Sequence, residues 1–186
     1  MSDATSEKAM DMLIYVAGLL ENSVVDGPGI RAVLFLQGCP HHCKGCHNPE
    51  TWDMNGKSAE VLTIKELGDR ILSIKGVNKL TLSGGDPIMQ SSASVALISY
   101  LQDKRVANGK APYHIMLYTG YTWEQLLTLP NTSVTQLLKQ CDLVVDGPFI
   151  EAEKSLECRF RGSKNQRIIQ SNESIMLGEI VYSEYN

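Results

Sequence analysis

The 186-residue chain has no apolar run close to the roughly 20 residues that span a bilayer. Its best stretch, Leu13 to Leu20, is an octet without a basic segment before it or an A-x-A site after it. That stretch is expected to be a first core strand rather than a signal peptide. A basic excess is missing too, since 17 Lys and Arg against 21 Asp and Glu leave a net charge of −4. A broad nucleic-acid footprint is therefore not expected. Neither a long-period repeat nor a low-complexity tract is present. Without an export signal the expected compartment is the cytoplasm, where thiols stay reduced. Clustered cysteines there point to metal or catalysis before disulfides.

What is present is an alternation. Residues 1–12 are polar and without an apolar period, which predicts a loose N-terminal arm and a single domain over 13–186. Arg31 to Gln37, Lys79 to Ser83, His114 to Thr119 and Asp142 to Asp146 read as strands that each run into a glycine, and Arg167 to Gln170 reads as a last one. Ile64, Leu67, Ile71 and Ile74 predict a helix over Thr63 to Lys75. Val95, Ile98 and Leu101 predict another over Ser91 to Arg105, capped by Ser91 or Ser92. Short helices are expected at Trp123 to Leu129 and Val134 to Gln140, separated by Pro130. Strands alternating with helices make parallel units of an α/β fold. They are too few for a closed eight-stranded barrel, so an open partial (β/α) barrel or a small doubly wound sheet remains. In both, ligands sit at the loops after the strands. Four such loops carry unusual residues: Gly38 to His47, Gly84 to Pro87, Gly120-Tyr121 and Gly147-Pro148.

Three of the five cysteines form one cluster, Cys39-x3-Cys43-x2-Cys46. Soft thiolates at such spacing select zinc, copper(I) or an iron–sulfur cluster. Structural zinc takes a fourth ligand, for which His41, His42 and His47 are at hand. A ferredoxin-type carrier takes four protein ligands per cluster. Three ligands would leave one iron of a four-iron cluster open, and an open metal position is where a substrate or cofactor binds. Cys141, just before a strand, and Cys158, in a polar stretch, are expected only to pack or to lie half exposed.

The cysteine spacing, followed at the end of the next strand by Ser83-Gly-Gly-Asp-Pro87, resembles the radical S-adenosylmethionine (SAM) enzymes. In that family three thiolates hold a 4Fe–4S cluster, SAM chelates the open iron, and the glycine-rich loop receives the SAM ammonium. The resemblance implies the open partial barrel, with Cys39, Cys43 and Cys46 as metal ligands. It implies SAM or cluster contacts at Gly45, Cys46 and His47, at Ser83, Gly84, Gly85 and Asp86, and at Thr119 and Gly120. A side chain at Gly85 would then intrude where the ligand must approach. A Gly85→Val variant is expected to keep its cluster and fail to bind SAM.

Val25-Asp-Gly-Pro-Gly-Ile-Arg31 and Cys46-His-Asn-Pro-Glu-Thr-Trp-Asp53 are similar to the activases of glycyl-radical enzymes. Two subgroups share these landmarks: activases of the anaerobic ribonucleoside-triphosphate reductase, and those of pyruvate formate-lyase. The first is favoured by a short chain without an inserted ferredoxin-like cysteine set. It is also favoured by Gly45, where the wider family tends to carry an aromatic, and by Tyr118-Thr-Gly-Tyr121, Asp146-Gly-Pro-Phe149 and Arg161-Gly-Ser-Lys-Asn-Gln166.

The implied activity is that of a radical SAM oxidoreductase. Its reduced cluster cleaves SAM to methionine and a 5′-deoxyadenosyl radical, which abstracts hydrogen from a glycine of the anaerobic (class III) reductase. The implied partners are the large subunit of that reductase and a flavodoxin- or ferredoxin-type electron donor, with no nucleic acid and no membrane. A pyruvate formate-lyase activase is the alternative, and a non-catalytic zinc or iron–sulfur module is the alternative of another class. His41 and His42 are expected to be exposed loop residues. Arg161, Lys164 and Arg167 read as a solvated basic run, or as a dock for the partner or for the SAM carboxylate.

Overall fold

The glycine-terminated apolar runs become the parallel centre of one mixed sheet. The computed structural model describes residues 8–57 and 59–186. Its strands are β1 (Leu13–Ser23), β2 (Arg31–Leu36), β3 (Glu60–Thr63), β4 (Lys79–Gly84), β5 (His114–Tyr118), β6 (Leu143–Asp146) and β7 (Arg167–Gln170). They lie in the order β3-β1-β2-β4-β5-β6-β7. β2, β4, β5 and β6 are parallel. The edges are antiparallel: β1 against β2 and β3, and β7 against β6. The helices are α1 (Ile64–Leu72), α2 (Ser91–Ala107), α3 (Trp123–Thr128), α4 (Thr132–Gln140) and α5 (Ser171–Leu177). The expected α/β class holds, as a single domain with an open sheet.

The central strands are largely buried on both faces, as strands covered on both sides must be, with Arg31 of β2 and Thr81 of β4 as buried polar residues. Leu34, Leu36, Leu80, Leu82, Ile115 and Leu117 face the helices in a core shared with Leu67, Ile71, Leu97, Leu101, Leu137 and Leu138. On the other face Met116, Leu143, Val145 and Ile168 pack beneath Tyr118, Phe160 and Tyr185. The C-terminal residues close that face: the Ser183 N–H donates to the Ile168 carbonyl at 2.8 Å, and the Ile168 N–H to Asn186 Oδ1 at 2.9 Å.

One local expectation is corrected. Neither Ser91 nor Ser92 caps α2; its N-cap is Gln90, which makes no capping bond with its side chain. That amide is used elsewhere, accepting from the Tyr15 N–H and donating to the carbonyls of Tyr15 and Gln37. The Ser91 hydroxyl pairs with Ser133 at 2.6 Å. Of the arm expected over 1–12, residues 1–7 lie outside the described residues. Met10 packs against the core, and the Met12 carbonyl accepts the Ile64 N–H at 2.9 Å. Among the described residues no helix is long and apolar enough to cross a membrane.

Arg31 explains the Val25-to-Arg31 landmark. Its side chain is fully buried at the start of β2. It donates to Thr81 Oγ1, to the Pro28 carbonyl at 3.0 Å and to the Leu80 carbonyl at 3.1 Å. Burial pushes its pKa down to about 10. The guanidinium thus staples the loop after β1 to β4. Arg31→Met keeps most of the volume but strands these acceptors in the interior, so a loss of about 2–4 kcal/mol is expected. Urea unfolding of the metal-free protein measures it; an unchanged midpoint would show the staple to be idle.

Candidate metal and cofactor site

The loop after β2 begins as a continuation of the sheet. The Gly38 N–H donates to the Thr51 carbonyl at 2.8 Å and the Cys39 N–H to the Trp52 carbonyl at 3.0 Å. The return strand of this loop is thereby pinned at the short helical turn Pro49–Thr51. On the other side the glycine loop after β4 is hydrogen-bonded to the same start: Gly85 N–H to the Leu36 carbonyl, and Asp86 N–H to the Gly38 carbonyl, both at 2.7 Å. A turn closed by the Cys46 N–H on the Cys43 carbonyl at 3.1 Å carries the last two cysteines. The three thiols are free and half-buried.

A cavity of about 140 Å³ opens between these loops. Cys39, Cys43 and Cys46 line it together with Ser83, Gly84, Gly85, Thr119 and Gly120. Residues expected to act together from three strand ends therefore meet. Burial pushes the Cys39 thiol up in pKa; the His41 backbone N–H opposes this, and the charges of Asp86, Cys43 and Cys46 add to it. Three thiols lining one cavity are a donor set for a cluster that takes them as thiolates.

Asp86 does not line this cavity. Its carboxylate is fully buried behind the wall. Oδ2 takes His41 Nε2 at 2.7 Å, Thr119 Oγ1 at 2.9 Å and the Gly120 N–H at 3.0 Å, and Oδ1 takes the Ile88 N–H at 3.0 Å. His41, expected as an exposed loop residue, is half-buried on Asp86, with its ring edge-on to Tyr121 at 4.6 Å. Sequence reasoning missed this role because nothing local marks it.

Gly45 lines neither this cavity nor the neighbouring cleft. It adopts φ +75°, where a side chain is strained, and a Cβ there would meet Glu151 Oε1 at 3.0 Å. Lys44 pairs with the same Glu151 at 3.2 Å. A side chain before Cys46 would therefore be strained here and would require Glu151 to yield. His47 faces the larger neighbouring cleft of about 640 Å³, and its ring lies 5.8 Å from that of Phe149. The same cleft is lined by Cys46, Ser83, Tyr118, Phe149, Cys158 and Phe160.

The basic run does not act as one face. Arg167 is taken up by Asp146 and Glu124, the latter at 2.9 and 3.0 Å. Arg161 donates to the Gln166 carbonyl and to Asn186. Gln166 in turn binds the N–H groups of Gly162 and Ser163 and donates to the Gly147 carbonyl. The C-terminal landmarks thus form one network around the cleft.

The residues present fit an iron–sulfur cluster and a small cofactor beside it. Among the described residues, no three His, Cys, Asp or Glu side chains converge as ligands of a single ion would. Three thiols on one open loop suit the separate corners of a four-iron cluster. Trp52 lines the smaller cavity, and its buried indole N–H has no partner among the described residues.

Comparison with known proteins agrees on the iron–sulfur cluster. Residues 25–169 match the model of the 4Fe-4S single cluster domain. The chain is 38% identical to the anaerobic ribonucleoside-triphosphate reductase-activating protein of Vibrio cholerae over 150 residues, 78% of this chain and 90% of that protein. It is 36% identical to the protein of that name from Enterobacteria phage T4, over 81% of this chain and 90% of the phage protein. The Escherichia coli protein of the same name is 33% identical over 77% of this chain and 90% of its own length.

Proposed function

This chain belongs to the family of anaerobic ribonucleoside-triphosphate reductase-activating proteins, and from that premise we propose that it installs a glycyl radical on such a reductase by radical SAM chemistry. The observation that carries the reading is the cavity in which Cys39, Cys43 and Cys46 face Ser83–Gly85 and Thr119–Gly120. When bound, a reduced 4Fe–4S cluster supplies one electron to SAM, and cleavage to methionine and a 5′-deoxyadenosyl radical provides the hydrogen abstraction from a glycine of the reductase.

The chain's own residues do the placing. Cys39, Cys43 and Cys46 would hold the cluster through their thiolates, with the glycine loop lining the same cavity. Ser83, Gly84 and Gly85 supply backbone acceptors for the SAM ammonium, with Thr119 and Gly120 beside them and Gly45 and His47 flanking the last ligand. Asp86 serves this site from behind, through the loops it ties. The sheet, with its parallel centre and open side, is read as the partial barrel of the radical SAM type. Among the described residues no element covers the 640 Å³ cleft beside the cysteines, so the partner's glycine-bearing loop is both lid and substrate. A flavodoxin- or ferredoxin-type donor and a cytoplasmic location, where thiols stay reduced, complete the reading.

The test is electron paramagnetic resonance on candidate partners mixed anaerobically with reduced protein and SAM. A glycyl doublet is expected on the anaerobic reductase and none on pyruvate formate-lyase. The reverse pattern would move the chain to the other activase group, and silence on both would end the activase reading.

A further inference from the structure

We propose that His41 is a positioning residue of the metal centre, whose Nε2–H on the Asp86 carboxylate fixes the loop between Cys39 and Cys43 against the glycine loop. The inference rests on the assignment of the cluster to Cys39, Cys43 and Cys46. His41 stands between the first two of these residues, so wherever its ring is held, the chain between two ligands is held.

The holding point is specific. Asp86 is a fully buried carboxylate, and such a group must be satisfied. Its Oδ2 already accepts the Thr119 hydroxyl and the Gly120 N–H. A carboxylate accepts and does not donate, so the 2.7 Å contact is that of the His41 tautomer with its proton on Nε2. The seat is cut to the ring. The Tyr121 ring packs against it at a near-perpendicular 75°, and a Cβ at Gly120 would stand 2.3 Å from His41 Cδ2. The loops after β2, β4 and β5 are thereby joined at one carboxylate oxygen.

An electrostatic consequence follows. A buried carboxylate near the ligand thiolates opposes the arrival of an electron on a bound cluster, and each hydrogen bond to it weakens that field. Loss of the His41 donor therefore makes a bound cluster harder to reduce, besides loosening the loop.

The full chain is reconstituted anaerobically with iron and sulfide as the unsubstituted protein, His41→Gln and His41→Phe. Glutamine offers an N–H donor at a similar reach without the ring. Phenylalanine keeps the ring against Tyr121 and beside Gly120 without the donor. Iron per chain and the midpoint potential, from redox titration followed by electron paramagnetic resonance, are the two readouts. His41→Gln is expected to keep both values, and His41→Phe to shift the potential to a more negative value or to lose iron. A His41→Phe protein matching the unsubstituted one in both readouts overturns the inference. Equal damage in the two variants also overturns it, because the ring's shape and not its hydrogen bond would then hold the loop. Circular dichroism of the metal-free forms shows whether either change acts through unfolding; a His41→Phe protein that unfolds while His41→Gln does not supports the role of the donor, and unfolding of both counts as equal damage. If the unsubstituted protein takes up no iron, the cluster assignment falls first and this inference with it.

Discussion

Replacing any one of Cys39, Cys43 or Cys46 by alanine is expected to drop bound iron from about four per chain to near zero, while Cys141→Ala and Cys158→Ala keep it. The three thiols line one cavity and stand on one loop pinned at both ends by backbone hydrogen bonds. No other cysteine reaches that cavity. Cys141 is fully buried in the helix-facing core, and burial raises its thiol pKa, so it packs as an apolar group. Cys158 lines the larger cleft and not the smaller cavity. With only three protein ligands, loss of one leaves two irons without a protein thiolate, and a cluster so held is labile. Iron and sulfide analysis after anaerobic reconstitution reads the result directly. Zinc in place of iron, or loss of iron in the Cys141→Ala protein, would sink the assignment.

The parallel half of the fold was legible because its signals are local. Apolar runs ending in glycine at Gly38, Gly84, Gly120 and Gly147 mark strands buried on both faces that turn sharply at their C-terminal ends. The antiparallel edges were less so. β3 has only four residues and runs directly into α1 at Thr63, the capping residue of that helix, so its period is lost in the helix signal. The Arg167 to Gln170 run was visible as a strand, but its direction is set by pairing with β6, which no local pattern encodes. α5 has seven residues and two buried serines, too short and too polar for a hydrophobic period to show.

At the site, the cysteines and glycines carried their own spacing and could be read as neighbours. The tie behind them could not. Asp86 reads as part of a polar turn, and His41 as one of two adjacent histidines in a loop. Their meeting depends on three strand ends converging, which is a property of the sheet and not of either segment. One sequence signal existed in hindsight: Gly120, whose missing side chain makes room for the His41 ring. In the same way the basic residues Arg161 and Arg167 looked alike in the chain. Arg167 has a fixed engagement with Asp146 and Glu124, whereas Arg161 belongs to the network at the cleft.

Gly85→Ala is expected to cost the protein its cluster and not SAM alone. Were ligand approach the only role of Gly85, a side chain there would spare the iron. The packing places an earlier obstacle. A Cβ on Gly85 would stand 2.4 Å from the Gly38 carbonyl oxygen and 3.0 Å from that of Thr51. Both are backbone atoms, and neither can swing aside as a flexible side chain would. Relief requires Gly38 to move, and Cys39 follows it, because the Gly38 carbonyl also accepts the Asp86 N–H and its N–H is bonded to Thr51. Overpacking of this kind costs about 1–3 kcal/mol when side chains yield, and more when backbone must. In a chain of this size about 1–3 kcal/mol corresponds to a melting temperature lower by about 2–12 °C for the metal-free protein. Most of the iron should then be lost on reconstitution, and SAM binding with it. Gly18→Ala is the matched control: the nearest atom to its Cβ is Phe35 Cδ2 at 4.0 Å, so melting temperature and iron content should stay unchanged. A Gly85→Ala protein with full iron that fails only to bind SAM would restore the simpler role in ligand approach. One that binds both normally would remove Gly85 from the site altogether, since a contact of 2.4 Å to backbone cannot be absorbed without displacing the first cysteine.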